Sequence, residues 1–176
     1  MNTFDLEIWD DEGEKCTFYT VRKEGASLTE TDKFFLRYEN ESHEYNWHAN
    51  LLLRMVLHGI GNKHGATDDF FDRYENHAQA LPPKPKKWIP EIKEIGTDFP
   101  LRLYCLRISE SIVVLFNGGM KQAPTAQASS DLSFVFREVQ TIAQRITNGL
   151  LDGTVSITTD DRYLIDCFGQ TDKISL

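Results

Sequence analysis

The sequence predicts an α+β fold, an antiparallel sheet with packed helices, in a single domain. Three observations carry this. Period-two alternation of apolar and polar residues, the mark of a half-buried strand, opens the chain, and strand-like runs return in its second half. Apolar residues at three- and four-residue spacing mark helices between and after these runs. At 176 residues, with 40% apolar and 26% charged residues, the chain is long enough for one filled core and short for two.

The elements follow in order. Phe4, Leu6 and Ile8 alternate with Asp5 and Glu7, and Cys16–Arg22 is β-branched and aromatic, so a hairpin turned over Asp10–Lys15 is expected. Ser27 or Thr29 is placed to cap a helix through Tyr38, with Glu30 and Asp32 in the first turn, where the helix dipole favours acids. Tyr45–Gly61 carries Trp47, Leu51, Leu52, Met55 and Val56 at helical spacing, with Gly59 and Gly61 as its stop. Thr67–Tyr74 reads as a short third helix.

Leu81–Pro90 holds four prolines, which remove donors and fix φ, so it reads as an extended connector packed down by Trp88 and Ile89. Strands are expected at Leu101–Ile108 and Ile112–Asn117, the second apolar enough to be covered on both sides. Gly118 and Gly119 should end that strand and open a polar loop, with positive φ freeing the backbone to turn toward Lys121. Asp131 should cap a helix ending at Asn148-Gly149, and the tail reads as a last hairpin turned at Thr159–Asp161. The domain thus divides into an acidic hairpin and helical part (1–81), a Pro/Lys-rich connector (82–99) and a core with a terminal hairpin (100–176).

The net charge of −8 argues against indiscriminate binding to nucleic acid or an anionic membrane, but it is unevenly spread. Residues 1–81 hold eight Lys/Arg against sixteen Asp/Glu, and residues 82–122 hold seven against four. The one basic segment therefore coincides with the Leu101–Gln122 hairpin and its approach. Three cysteines, Cys16, Cys105 and Cys167, have no CxxC spacing and read as buried free thiols. The five histidines fall between His43 and His77 without metal-ligand spacing, so no metal is expected. No nucleotide-binding glycine pattern calls for a cofactor. The chain shows neither a signal-peptide pattern nor a run of about 20 apolar residues, so no membrane partner and a cytoplasmic location are expected.

Chemistry concentrates on the hairpin. Side-chain alternation puts Arg102 and Tyr104 on one face of their strand, and Lys121 follows just past the end of the next. A guanidinium, a phenol and an ammonium converging at one edge would hold a phosphodiester, polarise it and move protons.

The run "PLRLYCLRISESIVVLFNGGMKQAPTAQA", followed by an amphipathic helix, resembles the C-terminal core of RelE/ParE-type toxins, most closely the HigB (phage Gp49-like) branch, over about residues 86–147. The resemblance implies a RelE-like core carrying N- and C-terminal hairpin extensions. It implies a ribosome-dependent mRNA endoribonuclease, neutralised by an antitoxin protein and acting on mRNA at the ribosome. Carried over, Arg102 matches the strand arginine that contacts phosphate and Lys121 the basic residue after the last core strand. Tyr104 joins them by neighbourhood as a catalytic candidate, and Lys93, Lys86 and Lys87 as substrate-binding candidates. Gln122 stands where that branch commonly carries a second basic residue. The alternative expectation is a non-catalytic module with a toxin-like fold that binds a partner through its acidic half.

Overall fold

The computed structural model describes residues 3–121 and 126–176, the side chains of 126–132 excepted. Its frame is a seven-stranded sheet. In spatial order the strands are β3 (Tyr74–Glu75), β4 (Ala78–Leu81), β5 (Leu101–Ser109), β6 (Ile112–Met120), β2 (Thr17–Lys23), β1 (Phe4–Asp10) and β9 (Lys173–Ser175). All neighbours are antiparallel except β2 and β6, which run parallel at the centre. The sheet is therefore mixed, because β2 and β6 are joined by a long excursion through the helices and β3–β5 and not directly by a hairpin. β7 (Val155–Ile157) and β8 (Leu164–Asp166) form a separate ribbon, turned where predicted, while β9 joins the main sheet.

Alternation divides the core into two layers. Phe18, Leu103, Cys105, Val113 and Leu115 face α1 (Glu30–Arg37), α2 (Asn46–Arg54) and α3 (Pro90–Ile95). Tyr19, Tyr104, Leu106, Val114 and Phe116 face α4 (Ala126–Asp152), where Val139, Ile142, Ala143 and Ile146 supply the helix stripe. β6 contributes to both layers and is buried along Ile112–Gly119, as its apolar run predicted.

Several expectations are corrected. Thr29 does cap α1, accepting from the Asp32 amide at 3.1 Å, but α2 does not stop at Gly59 and Gly61. It continues as wider π-type turns over Met55–His64 and ends at Gly65, at φ 79°. Gly61 is needed for close approach: its carbonyl accepts from the Lys15 and Cys16 amides, and a Cβ there would meet the Phe18 ring at 3.1 Å. The third helix is only one 3₁₀ turn, Asp68–Phe70, because Phe70 and Phe71 are buried and the chain must then enter β3.

The connector is partly helical, since Pro90 sits at the first turn of α3, where its missing N–H costs nothing. Ile89 packs down, but Trp88 remains 72% exposed. Helix α4 starts at Ala126, so Asp131 lies inside it and the Asp131 side chain lies outside the described residues. The helix runs past Gly149 to Asp152. Cys16 and Cys105 are buried free thiols, with burial pushing Cys16 up to about 12, whereas Cys167 is exposed on a turn. Among the described residues, no helix is long and apolar enough to cross a membrane.

Candidate active site

The glycine pair sits inside β6 and does not leave it. Gly118 pairs with Leu103 and Gly119 with Arg102, and neither has positive φ. Between these pairs and Leu115↔Cys105 the register breaks, so that Phe116 and Asn117 oppose Tyr104 as a bulge. The strands approach so closely there that a Cβ on Gly118 would lie 1.9 Å from the Arg102 carbonyl oxygen. The Asn117 side chain braces the bulge, accepting from the Gly118 amide at 2.8 Å. From α1, Arg37 donates to the Gly118 carbonyl at 3.0 Å and to Asn117 at 3.2 Å. Gly118 thus serves close packing against the Arg102 backbone, and neither glycine makes a positive-φ turn toward Lys121.

On the α4 face the bulge is flanked by short rows of side chains running across β5, β4 and β3. The register Ala80↔Tyr104, together with the Ala80 amide donating to the Arg73 carbonyl, puts Tyr104, Ala80 and Arg73 in one row. The pair Glu75↔Ala78 puts Glu75 in the next row, and Arg102 stands one row to the other side, past Leu81↔Leu103. Ala80 rises little from the sheet between Arg73 and Tyr104. Phe136 of α4 meets the Tyr104 ring edge-on at 5.6 Å. Gln140 ties α4 to this corner, donating to the Glu75 carbonyl and accepting from the His77 amide, both at 2.8 Å.

The two guanidiniums are held by carbonyls. Arg102 Nη1 donates to Phe99 O at 2.9 Å and Leu101 O at 2.8 Å, while Arg73 Nε donates to Pro82 O at 3.1 Å. Among the described residues neither forms a salt bridge, and the Nε and Nη2 groups of Arg102 have no protein acceptor. Burial, then the positive charge of Arg73, draws the Arg102 pKa below its ordinary value. Burial, then the negative charge of Glu75, pushes the Tyr104 phenol up, so it is a firmly protonated donor.

The predicted residues are thus only partly brought together. Arg102 and Tyr104 share the α4 face. Lys121 turns to Asp98, its Nζ 3.8 Å from Oδ1, beside Tyr45 and Pro100, and among the described contacts it touches neither Arg102 nor Tyr104. Lys86 is locked to the Asp72 carboxylate with its side chain only 10% exposed. Lys87 is exposed on the connector, and Lys93 is exposed on α3, which packs on the opposite sheet face. Arg73 falls in the Thr67–Tyr74 run expected to be helical and Glu75 just beyond it, so neither is among the residues the sequence singles out. Their period-two spacing, mirrored by Ala78 and Ala80 across the Asn76–His77 turn, was the available signal.

Among the described residues, no group of His, Cys, Asp and Glu is arranged to hold a metal. Neither a protein-family model, a curated protein nor a solved structure matches the chain.

Proposed function

We propose that the chain is the toxin of a toxin–antitoxin pair and acts as a ribosome-dependent mRNA endoribonuclease, with the α4 face of β5 as its active site. The observation that supports this most is the Arg102 guanidinium, half-buried, in no salt bridge among the described residues, and side by side with the protonated phenol of Tyr104. A half-buried cation without an ion-pair partner is costly unless something anionic visits it. The RelE-like pattern over residues 86–147 supports the same reading.

The chemistry is an internal transesterification. A ribose 2′-oxygen attacks the adjacent phosphorus and loses its proton to a base, the P–O5′ bond breaks, and O5′ takes a proton. The products are a 2′,3′-cyclic phosphate and a 5′-hydroxyl, with no oxidant or cofactor required. Arg102 holds the non-bridging oxygens and stabilises the charge added in the transition state. Tyr104 donates to the departing O5′, and Glu75, on the same face, is the proton acceptor. Lys121, 3.8 Å from the carboxylate of the 94%-exposed Asp98, can exchange that partner for a flanking phosphate. Delivery of mRNA by the ribosome removes the need for a broad basic surface on a chain of charge −8.

One observation favours the second reading, a non-catalytic module with a toxin-like fold: Lys86 and Lys121 are both matched to carboxylates within the protein. Inducing the chain in a bacterium and mapping mRNA 5′ ends separates the two. Growth arrest with new ribosome-dependent 5′-hydroxyl ends, both relieved by Arg102→Ala, is expected of the toxin. A stable protein partner with no new ends is expected of the module.

A further inference from the structure

We infer that Arg73 and Arg102 form a two-guanidinium cradle for a phosphoryl oxyanion, with Arg73, outside the toxin-like segment, as its second arm. The identification of that oxyanion as an RNA phosphodiester rests on the function proposed above; the cradle itself does not.

Four observations build it. The register places the two residues on one face in adjacent rows, with Pro82 as the common neighbour: Leu81↔Leu103 brings Pro82 opposite Arg102, and Arg73 donates to the Pro82 carbonyl at 3.1 Å. Each guanidinium is anchored on its own carbonyls, Arg102 on Phe99 and Leu101 and Arg73 on Pro82 and Pro83, so both are oriented without being neutralised. Ala80 and Gly119, the cross-strand neighbours on that face, carry little or no side chain, which leaves room beside the forks. The positive charge of Arg73 also acts on Arg102, an arrangement a bound anion relieves.

Two forks of planar N–H donors suit the tetrahedral spread of phosphoryl oxygens better than ammoniums do. Glu75 opposes an anion here. Its charge acts on both Arg102 and Tyr104, so it tunes the cradle downward when no proton is being transferred.

The test is titration of the full chain with inorganic phosphate at fixed ionic strength, followed by calorimetry and by the guanidinium resonances. Saturable binding is expected, weakened at least about tenfold by Arg73→Ala and by Arg102→Ala. Arg73→Lys should fail to restore it, because the fork is lost. Glu75→Gln, which keeps both arms, should tighten it. Unchanged melting temperatures without phosphate show that the variants fold, and Glu75→Gln gives an answer even if Arg73→Ala does not fold. No saturable binding by the native chain, or binding indifferent to Arg73→Ala, overturns the cradle. Competition by a short single-stranded RNA identifies a phosphodiester, and saturation by phosphate that RNA cannot displace identifies a free anion. Cleavage that needs Arg102 but ignores Arg73 sinks the cradle and spares the nuclease. A cradle needing both arginines without cleavage does the reverse.

Discussion

On the α4 face, Arg73 and Arg102 rest on backbone carbonyls. In the connector and at the end of β6, Lys86 and Lys121 rest on the carboxylates of Asp72 and Asp98. Arg102 and the two lysines fall in the basic part of the sequence and Arg73 in the acidic part before it, yet among the described residues only the arginines form no salt bridge. Local net charge therefore marked a neighbourhood, whereas pairing decides which cations in it can meet a ligand. The difference has a structural source. The β5–β6 bulge and the short β3–β4 ribbon set the two guanidiniums against backbone carbonyls, while the lysines extend to acidic loop residues.

The comparison breaks first if the bulge is not what holds Arg102. Gly118→Ala places a Cβ against the Arg102 carbonyl and should destabilise the fold by about 2–4 kcal/mol, read as a lower urea midpoint with an unchanged slope. A neutral outcome would mean that the strands separate there without cost. Lys86→Ala should cost less, about 1–2 kcal/mol, by stranding the half-buried Asp72 carboxylate, and should leave RNA cleavage unchanged. Loss of cleavage without loss of stability would move Lys86 into the site.

The smallest effect concerns the helix layer opposite the site. His48 packs against Tyr45, Trp47 and Phe99, with Nδ1 buried and unpaired, and burial draws its pKa below 6.5. The unfolded chain therefore takes up this proton first. The stabilising contribution of neutral His48 is complete above pH 6.5 and is lost as pH falls through the lowered folded value. Melting temperature should decline from pH 7.5 to 5.5, and His48→Phe should flatten that slope. An unaltered slope would assign the decline to other groups.

Much of the frame was legible because local patterns and tertiary packing agree. The Phe4–Ile8 alternation, the Thr29 cap and the wholly apolar Ile112–Phe116 run each demand what the fold supplies. The parallel β2–β6 pair was not legible, because strand direction depends on where a long connection returns the chain. Gly61 and Gly118 misled for one reason: glycine marks close backbone approach as often as a stop, and only the neighbour across the gap distinguishes them. Of the site, Arg102 and Tyr104 were visible from alternation. Arg73 and Glu75 were not, since a two-residue strand shows almost no period and Thr67-Asp68-Asp69 imitates a helix start.

The most direct measurement compares two variants in one ribosome-dependent cleavage assay, with melting temperatures recorded alongside. Arg102→Ala should lower the cleavage rate by about a hundredfold or more, the scale of removing a donor to transition-state charge. Lys121→Ala, which removes only a loosely paired surface cation, should lower it by less than about tenfold. Equal losses in the two variants, or a rate untouched by Arg102→Ala in a folded protein, would contradict the assignment of the α4 face of β5 as the active site.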